Sequence, residues 1–219
     1  MVAREEFEIE LKLMKQKVVK LAEGAKKQLE DSVHALYQAD TTLAKEVIEA
    51  DKNLDKIDHE INETAILLIA RQQPVASDLR KLIVAIRLST DLERMADNAK
   101  NIARSTTHLG ENHGMEIPKS LADMRDVALR MIDLAISAYE QEDISLAKKL
   151  SELDDSIDTM YSNGLQSLLE ETATNPQKIQ FIMQIAFSGR YIERFGDHIT
   201  NIAESIMYLV KGESLNLNE

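Results

Sequence analysis

Residues 91–103 read DLERMADNAKNIA, and residues 191–203 read YIERFGDHITNIA. Six of the thirteen positions agree: Glu93/Glu193, Arg94/Arg194, Asp97/Asp197, Asn101/Asn201, Ile102/Ile202 and Ala103/Ala203. Four of these pairs are polar, on a segment whose apolar residues otherwise recur at helical spacing. Packing alone would repeat the apolar positions, so the repetition points to a duplicated unit that keeps its carboxylates for a further reason.

The duplication extends outward. DTTLAKEVIEAD (40–51) and DISLAKKLSELD (143–154) share six of twelve residues, and Pro74 is echoed by Pro176. Apolar residues at alternating steps of four and three mark a long first helix (Phe7, Leu11, Met14, Val18, Leu21, Ala25, continuing to Leu36). Asp40 and Thr41 supply capping side chains for a second, with its seam at Leu43, Val47, Ala50, Leu54, Ile57 and Ile61. Pro74 interrupts, and Ser77 or Asp78 is expected to cap a third helix carrying the first quoted stretch. Leu121, Met124, Ala128 and Met131 seed a fourth; Leu146, Leu150, Leu153, Ile157 and Met160 form the seam of a fifth; Asn175 and Pro176 are expected to open a sixth. The stretch THLGENHGMEIP (107–118) has no apolar period and reads as a linker. The fold expected is all-α: two tandem antiparallel three-helix bundles, 1–108 and 109–219, each burying its own seam.

Composition agrees with helices, since three prolines and seven glycines in 219 residues leave few breaks. The absence of cysteine removes disulfides and thiolate metal sites and fits a reducing, cytoplasmic compartment. No apolar run is long enough to span a bilayer, and the first residues, MVAREEFEIELKLMK, do not resemble a secretory signal. A net charge of −12 opposes general attraction to nucleic acid or an anionic membrane. Proteins and cations are the natural partners.

Chance places about six acidic pairs at a spacing of four in a chain this acidic, so one such pair carries little information. Two kinds of pair kept through a duplication carry more: Asp51/Asp55 with Asp154/Asp158, and Glu93/Asp97 with Glu193/Asp197. Each pair lies on one helix face a turn apart, where like charges cost about 0.2–0.5 kcal/mol. If the second and third helices of each unit adjoin, their carboxylates converge into an oxygen-rich cage suited to Mg²⁺, Ca²⁺, Mn²⁺ or iron. The competing reading is an ordinary surface ion-pair network in which Arg94, Arg194 and nearby lysines neutralise the acids. Asn101 and Asn201 would add either a ligand or a cross-helix hydrogen bond.

Other chemistries lack their residues. None of His34, His59, His108, His113 and His198 stands three positions after a glutamate, as a ferritin-like di-iron bundle requires. There is no phosphate loop and no nucleophile elbow. An all-α metal-dependent phosphohydrolase would need E-x-x-E followed by E-x-x-D; Glu60 and Glu63 supply the first element, but the second here is E-x-x-x-D.

QPVASDLR (73–80) leading into DLERMADNAKNIA, with the repeat YIERFGDHITNIA, resembles the PhoU family of phosphate-transport accessory proteins over nearly the whole chain. The resemblance implies a non-enzymatic cytoplasmic regulator that binds clusters of metal ions through oxygen ligands (Fe, Mn, Mg or Zn). It implies action between the ATPase subunit of a phosphate ABC transporter and a phosphate-sensing histidine kinase, restraining uptake and the starvation response. A homodimer is expected, reaching the membrane only through its partners. Carried over by position, the ligands fall on Asp51, Asp55, Glu93 and Asp97, and on Asp154, Asp158, Glu193 and Asp197. The second half departs from the pattern at NPQKIQFI (175–182), which keeps only the proline of QPVASDLR. The alternatives are the phosphohydrolase and a metal-free helical interaction module.

Overall fold

The computed structural model describes residues 2–111 and 116–213, without the side chains of residues 2–3, 171–174 and 176. Its elements are α1 (Val2–Gln38), α2 (Thr41–Gln72), α3 (Ala76–Leu109), α4 (Lys119–Gln141), α5 (Ile144–Thr174), a 3-10 turn (Pro176–Lys178) and α6 (Ile179–Lys211). The described residues contain no strand. At 1.5 Å per residue, helices of this length run about 35–55 Å, so carboxylates on two of them meet only where the pairing register brings them together.

Short connections between successive helices set neighbours antiparallel. Within each half all three helices pack on one another, and the halves meet through α3 against α6 and α1 against α4. The latter contact is the smaller. Arg80 donates to the carbonyl of Leu209, while Asp91 meets His198 and Asn201, so α3 and α6 also run antiparallel. One apolar cluster runs through all six helices, from Leu21, Leu29 and Leu36 to Met95, Ile102, Met131, Phe195 and Ile206. The halves therefore share a core, which the expectation that each buries only its own seam did not include.

The helix ends correct the sequence reading in three places. Asp40 caps α2 as expected, its side chain accepting from the N–H groups of Thr42 and Leu43. Neither Ser77 nor Asp78 caps α3: Val75 is the extended residue before it, and the Asp78 carboxylate accepts instead from Arg4 of α1, at 2.5 Å. Asn175 precedes the 3-10 turn, its carbonyl accepting from the N–H of Lys178, and α6 begins only at Ile179. Finally α3 continues through His108 to Leu109 and closes at Gly110 with φ +73°, so the start of the expected linker is helical. His113 lies outside the described residues.

Candidate metal centre

Asp154 lies one turn before Asp158 on α5, and Glu193 one turn before Asp197 on α6. The pairing of the two helices brings one carboxylate oxygen each of Asp158, Glu193 and Asp197 within 4.8 Å of one another, and no other such group occurs among the described residues. Asp158 is exposed, Asp197 half-buried, and Glu193 only 8% exposed. Asp154, at 7%, lies deeper. Asp154 Oδ1 and Glu193 Oε2 are buried with no hydrogen-bond partner. A buried, unpaired carboxylate oxygen forfeits the solvation of a charge.

The electrostatics follow from that burial. Loss of solvent first, then repulsion from Asp197 and Asp158, push the Asp154 carboxyl up to about 7. Burial and then Asp197 raise Glu193 to about 7 against the opposing pull of Arg190. Asp158 is raised as well, by burial and then by Asp197. A multivalent cation would offset both the repulsion and the lost solvation, because concentrated positive charge is what this oxygen-rich cluster lacks.

The local sequence makes room for this arrangement. A Cβ on Gly196 would stand 2.7 Å from Asp154 Oδ1, so any larger residue there would displace the carboxylate. The equivalent residue in the first half is Ala96, which is buried. Arg190 bonds Oε1 of Glu193 from one turn earlier on α6, and its guanidinium lies over Tyr161 at 6.0 Å from the ring centroid. With 41% of its side chain exposed, Arg190 sits at the rim and leaves Oε2 of Glu193 unpaired.

The first half places the same four acids on α2 and α3 but treats them differently. Asp51 is 3% exposed, and Lys100, one turn past Asp97, sends its ammonium between Asp51 and Asp97 and bonds both. Burial pulls the Lys100 ammonium down, but its hydrogen bonds to Asp51 and Asp97 outweigh this and hold it above its usual value. Asp55 is exposed and Glu93 half-buried; burial raises both, followed by Asp51 for the former and Asp97 for the latter. Arg94 lies 3.5 Å from Glu93 and 3.6 Å from Asp97 on the exposed side.

Asn201 donates across the helix interface to Asp91 at 3.3 Å, whereas Asn101 accepts from Arg104 on its own helix at 2.9 Å. His198 meets Asp91 at 3.0 Å, joining α3 to α6. Glu60 pairs with Lys17 at 2.9 Å and Glu63 with His59 at 3.2 Å, so the first element of the phosphohydrolase pattern is engaged with other side chains. Lys100, Arg190 and Gly196 are the site residues that the sequence reading did not name. A signal existed in the departures from the repeat, where Lys100 corresponds in sequence to Thr200, Thr90 to Arg190 and Ala96 to Gly196.

Comparison with known proteins decides the family. The family model for the PhoU domain matches residues 18–106 and again 121–206. The chain belongs to the PhoU family. It is 33% identical to the phosphate-specific transport system accessory protein PhoU homolog of Clostridium acetobutylicum, over the whole of both chains. It is 31% identical to PhoU of Escherichia coli strain K12, covering 95% of this chain and 86% of that one. Among solved structures, PhoU from Pseudomonas aeruginosa superposes with a TM-score of 0.88 at 32% identity, covering 94% of this chain and all of the other. The phosphate transport system regulatory protein PhoU from Streptococcus pneumoniae gives 0.89 at 27%, covering 96% and 99%. Both superpositions take in nearly the whole of this chain, which therefore has the fold of those two proteins. No described helix is long and apolar enough to cross a membrane.

Proposed function

We propose that this protein is a metal-binding regulator of phosphate transport, acting in the cytoplasm without catalysing a reaction. The relatives named phosphate-specific transport system accessory proteins support the regulatory part of this reading. The observation that carries the metal part is the pair of unpartnered buried oxygens, Asp154 Oδ1 and Glu193 Oε2, beside the converging carboxylates of Asp158 and Asp197. Asp154, Asp158, Glu193 and Asp197 would hold the ion; Asp51, Asp55, Glu93 and Asp97 stand at the equivalent positions of the first half. Bound there, Mg²⁺, Mn²⁺, iron or Zn²⁺ supplies positive charge that neutralises the cluster and ties α5 to α6. The units 1–108 and 109–219 are read as the two repeats.

In this reading the helical surfaces dock onto the ATPase subunit of a phosphate ABC transporter and onto a phosphate-sensing histidine kinase, restraining uptake and the starvation response when phosphate is abundant. Capture of the tagged chain from phosphate-replete and phosphate-starved cells, with bound proteins identified by mass, tests it. Recovery of the transporter ATPase and the kinase is expected. Recovery of neither, together with unchanged starvation-gene expression in a deletion strain, contradicts the regulatory role. A homodimer is part of the proposal, and light scattering that returns the 24.7 kDa monomer mass at micromolar concentration would remove it.

A further inference from the structure

The two carboxylate clusters are copies in sequence, yet they meet their need for positive charge in opposite ways. We propose that Lys100 is the resident cation of the first half: its ammonium takes the place between Asp51 and Asp97 that a divalent ion takes in the second half. The chain then carries one tight divalent-cation site, among Asp154, Asp158, Glu193 and Asp197, and not two. This rests on the metal reading of the second cluster and adds to it a selection between the repeats.

The geometry supports each step. The Lys100 side chain is 15% exposed and bonds Asp51, whose side chain is 4% exposed, together with Asp97 across the α2–α3 interface. A divalent ion entering there would have to expel an ammonium already paired with two of the four acids, or bind beside it against like charge. In the second half the residue equivalent to Lys100 is Thr200. Its hydroxyl is turned back onto its own helix, donating to the carbonyl of Asp197 at 2.6 Å, and it brings no charge. Among the described residues, the cation that bonds the second cluster is Arg190, which approaches from the opposite end and meets a single oxygen of Glu193. It leaves Asp154 Oδ1 and Glu193 Oε2 without partners, whereas no oxygen of the first four acids is both buried and unpartnered among the described residues.

The arrangement also separates the roles of the two halves. The first holds α2 to α3 whatever the metal supply, because its cation is covalently part of the chain. The second has no such cation of its own, and there an external ion adds to the packing that already holds α5 on α6, so the dependence of stability on metal is confined to one repeat.

The test uses the full chain, freed of metal with a chelator and titrated with Mn²⁺, the free ion being counted by its paramagnetic resonance. The wild type is expected to show one tight site, with any binding in the first half weaker by at least about tenfold. Lys100→Met keeps the aliphatic stem but removes the charge, and should gain a second tight site. Lys100→Arg, which keeps the charge, should still show one. Asp158→Asn with Asp197→Asn should abolish tight binding in the wild-type background and leave one tight site in the Lys100→Met background. A second readout needs no binding curve: metal-free Lys100→Met should melt below the wild type and recover on adding Mn²⁺, because Asp51 has lost its partner. Two equivalent tight sites in the wild type, or a Lys100→Met titration that matches the wild type, overturns the inference while leaving the metal reading intact. Absence of Mn²⁺ binding in every variant overturns both.

Discussion

Asp154 and Glu193 hold their protons up to about pH 7 in the folded chain, whereas an unfolded chain releases them near pH 4. A folded pKa above the unfolded one contributes stability that is complete below about pH 4 and is lost as pH rises through 7. At about 1.4 kcal/mol per pKa unit the loss amounts to a few kcal/mol, shared between two groups that also repel their neighbours. In a chelator, thermal melts are therefore expected to show this contribution disappearing between about pH 4 and about pH 7. Asp154→Asn should flatten that fall and raise the metal-free melting temperature at pH 8; an unaltered pH profile would mean that the burial of Asp154 carries no such penalty. Gly196 belongs to the same scale. A Gly196→Ala methyl must displace Asp154 Oδ1 from 2.7 Å, and overpacking of this kind costs about 1–3 kcal/mol against the helix-propensity gain of about 1 kcal/mol. A net loss of about 1 kcal/mol is expected, with weaker Mn²⁺ binding in titration.

The ends of the helices show how far local chemistry can be read without coordinates. Asp40 was legible because a cap is a contact within three residues, and Asp40→Ala is expected to cost about 1 kcal/mol, a fall of about 2–4 °C in melting temperature for a chain this long. An unchanged melt would show that α2 is fixed by packing alone. Asp143 repeats the contact at α5, accepting from the Ser145 N–H at 2.7 Å and from its hydroxyl at 2.6 Å. Ser77 and Asp78 misled because the competing partner of Asp78 is Arg4, which lies 74 positions away. Lys100 was hidden for the same reason. Its spacing to Asp97 is an ordinary helical pair, but its contact with Asp51 spans 49 positions and crosses between helices, so nothing in the local pattern separates it from the exposed Arg94. The carboxylate pairs themselves were legible because the duplication wrote them twice.

Across the whole molecule, six helices and their two-repeat plan followed from apolar periodicity, since each seam marks a face that must be covered. Periodicity does not name what covers it, and the shared core between α3 and α6 was missed on that account. Met95 and Phe195 are both fully buried in the continuous cluster. Phe195→Ala is expected to cost about 3–5 kcal/mol and to shift one melting transition common to both halves; two separated transitions in calorimetry would show that the repeats unfold independently. At this scale the proposed metal would act on one repeat alone, because the first half supplies its own cation in Lys100. The most direct measurement is anomalous diffraction at the manganese edge from crystals of the full chain equilibrated with Mn²⁺. The account predicts the strongest peak among Asp154, Asp158, Glu193 and Asp197, with the Lys100 ammonium still between Asp51 and Asp97. A peak of equal or greater height at Asp51 and Asp97, with Lys100 expelled, or no peak at the second cluster, would contradict it.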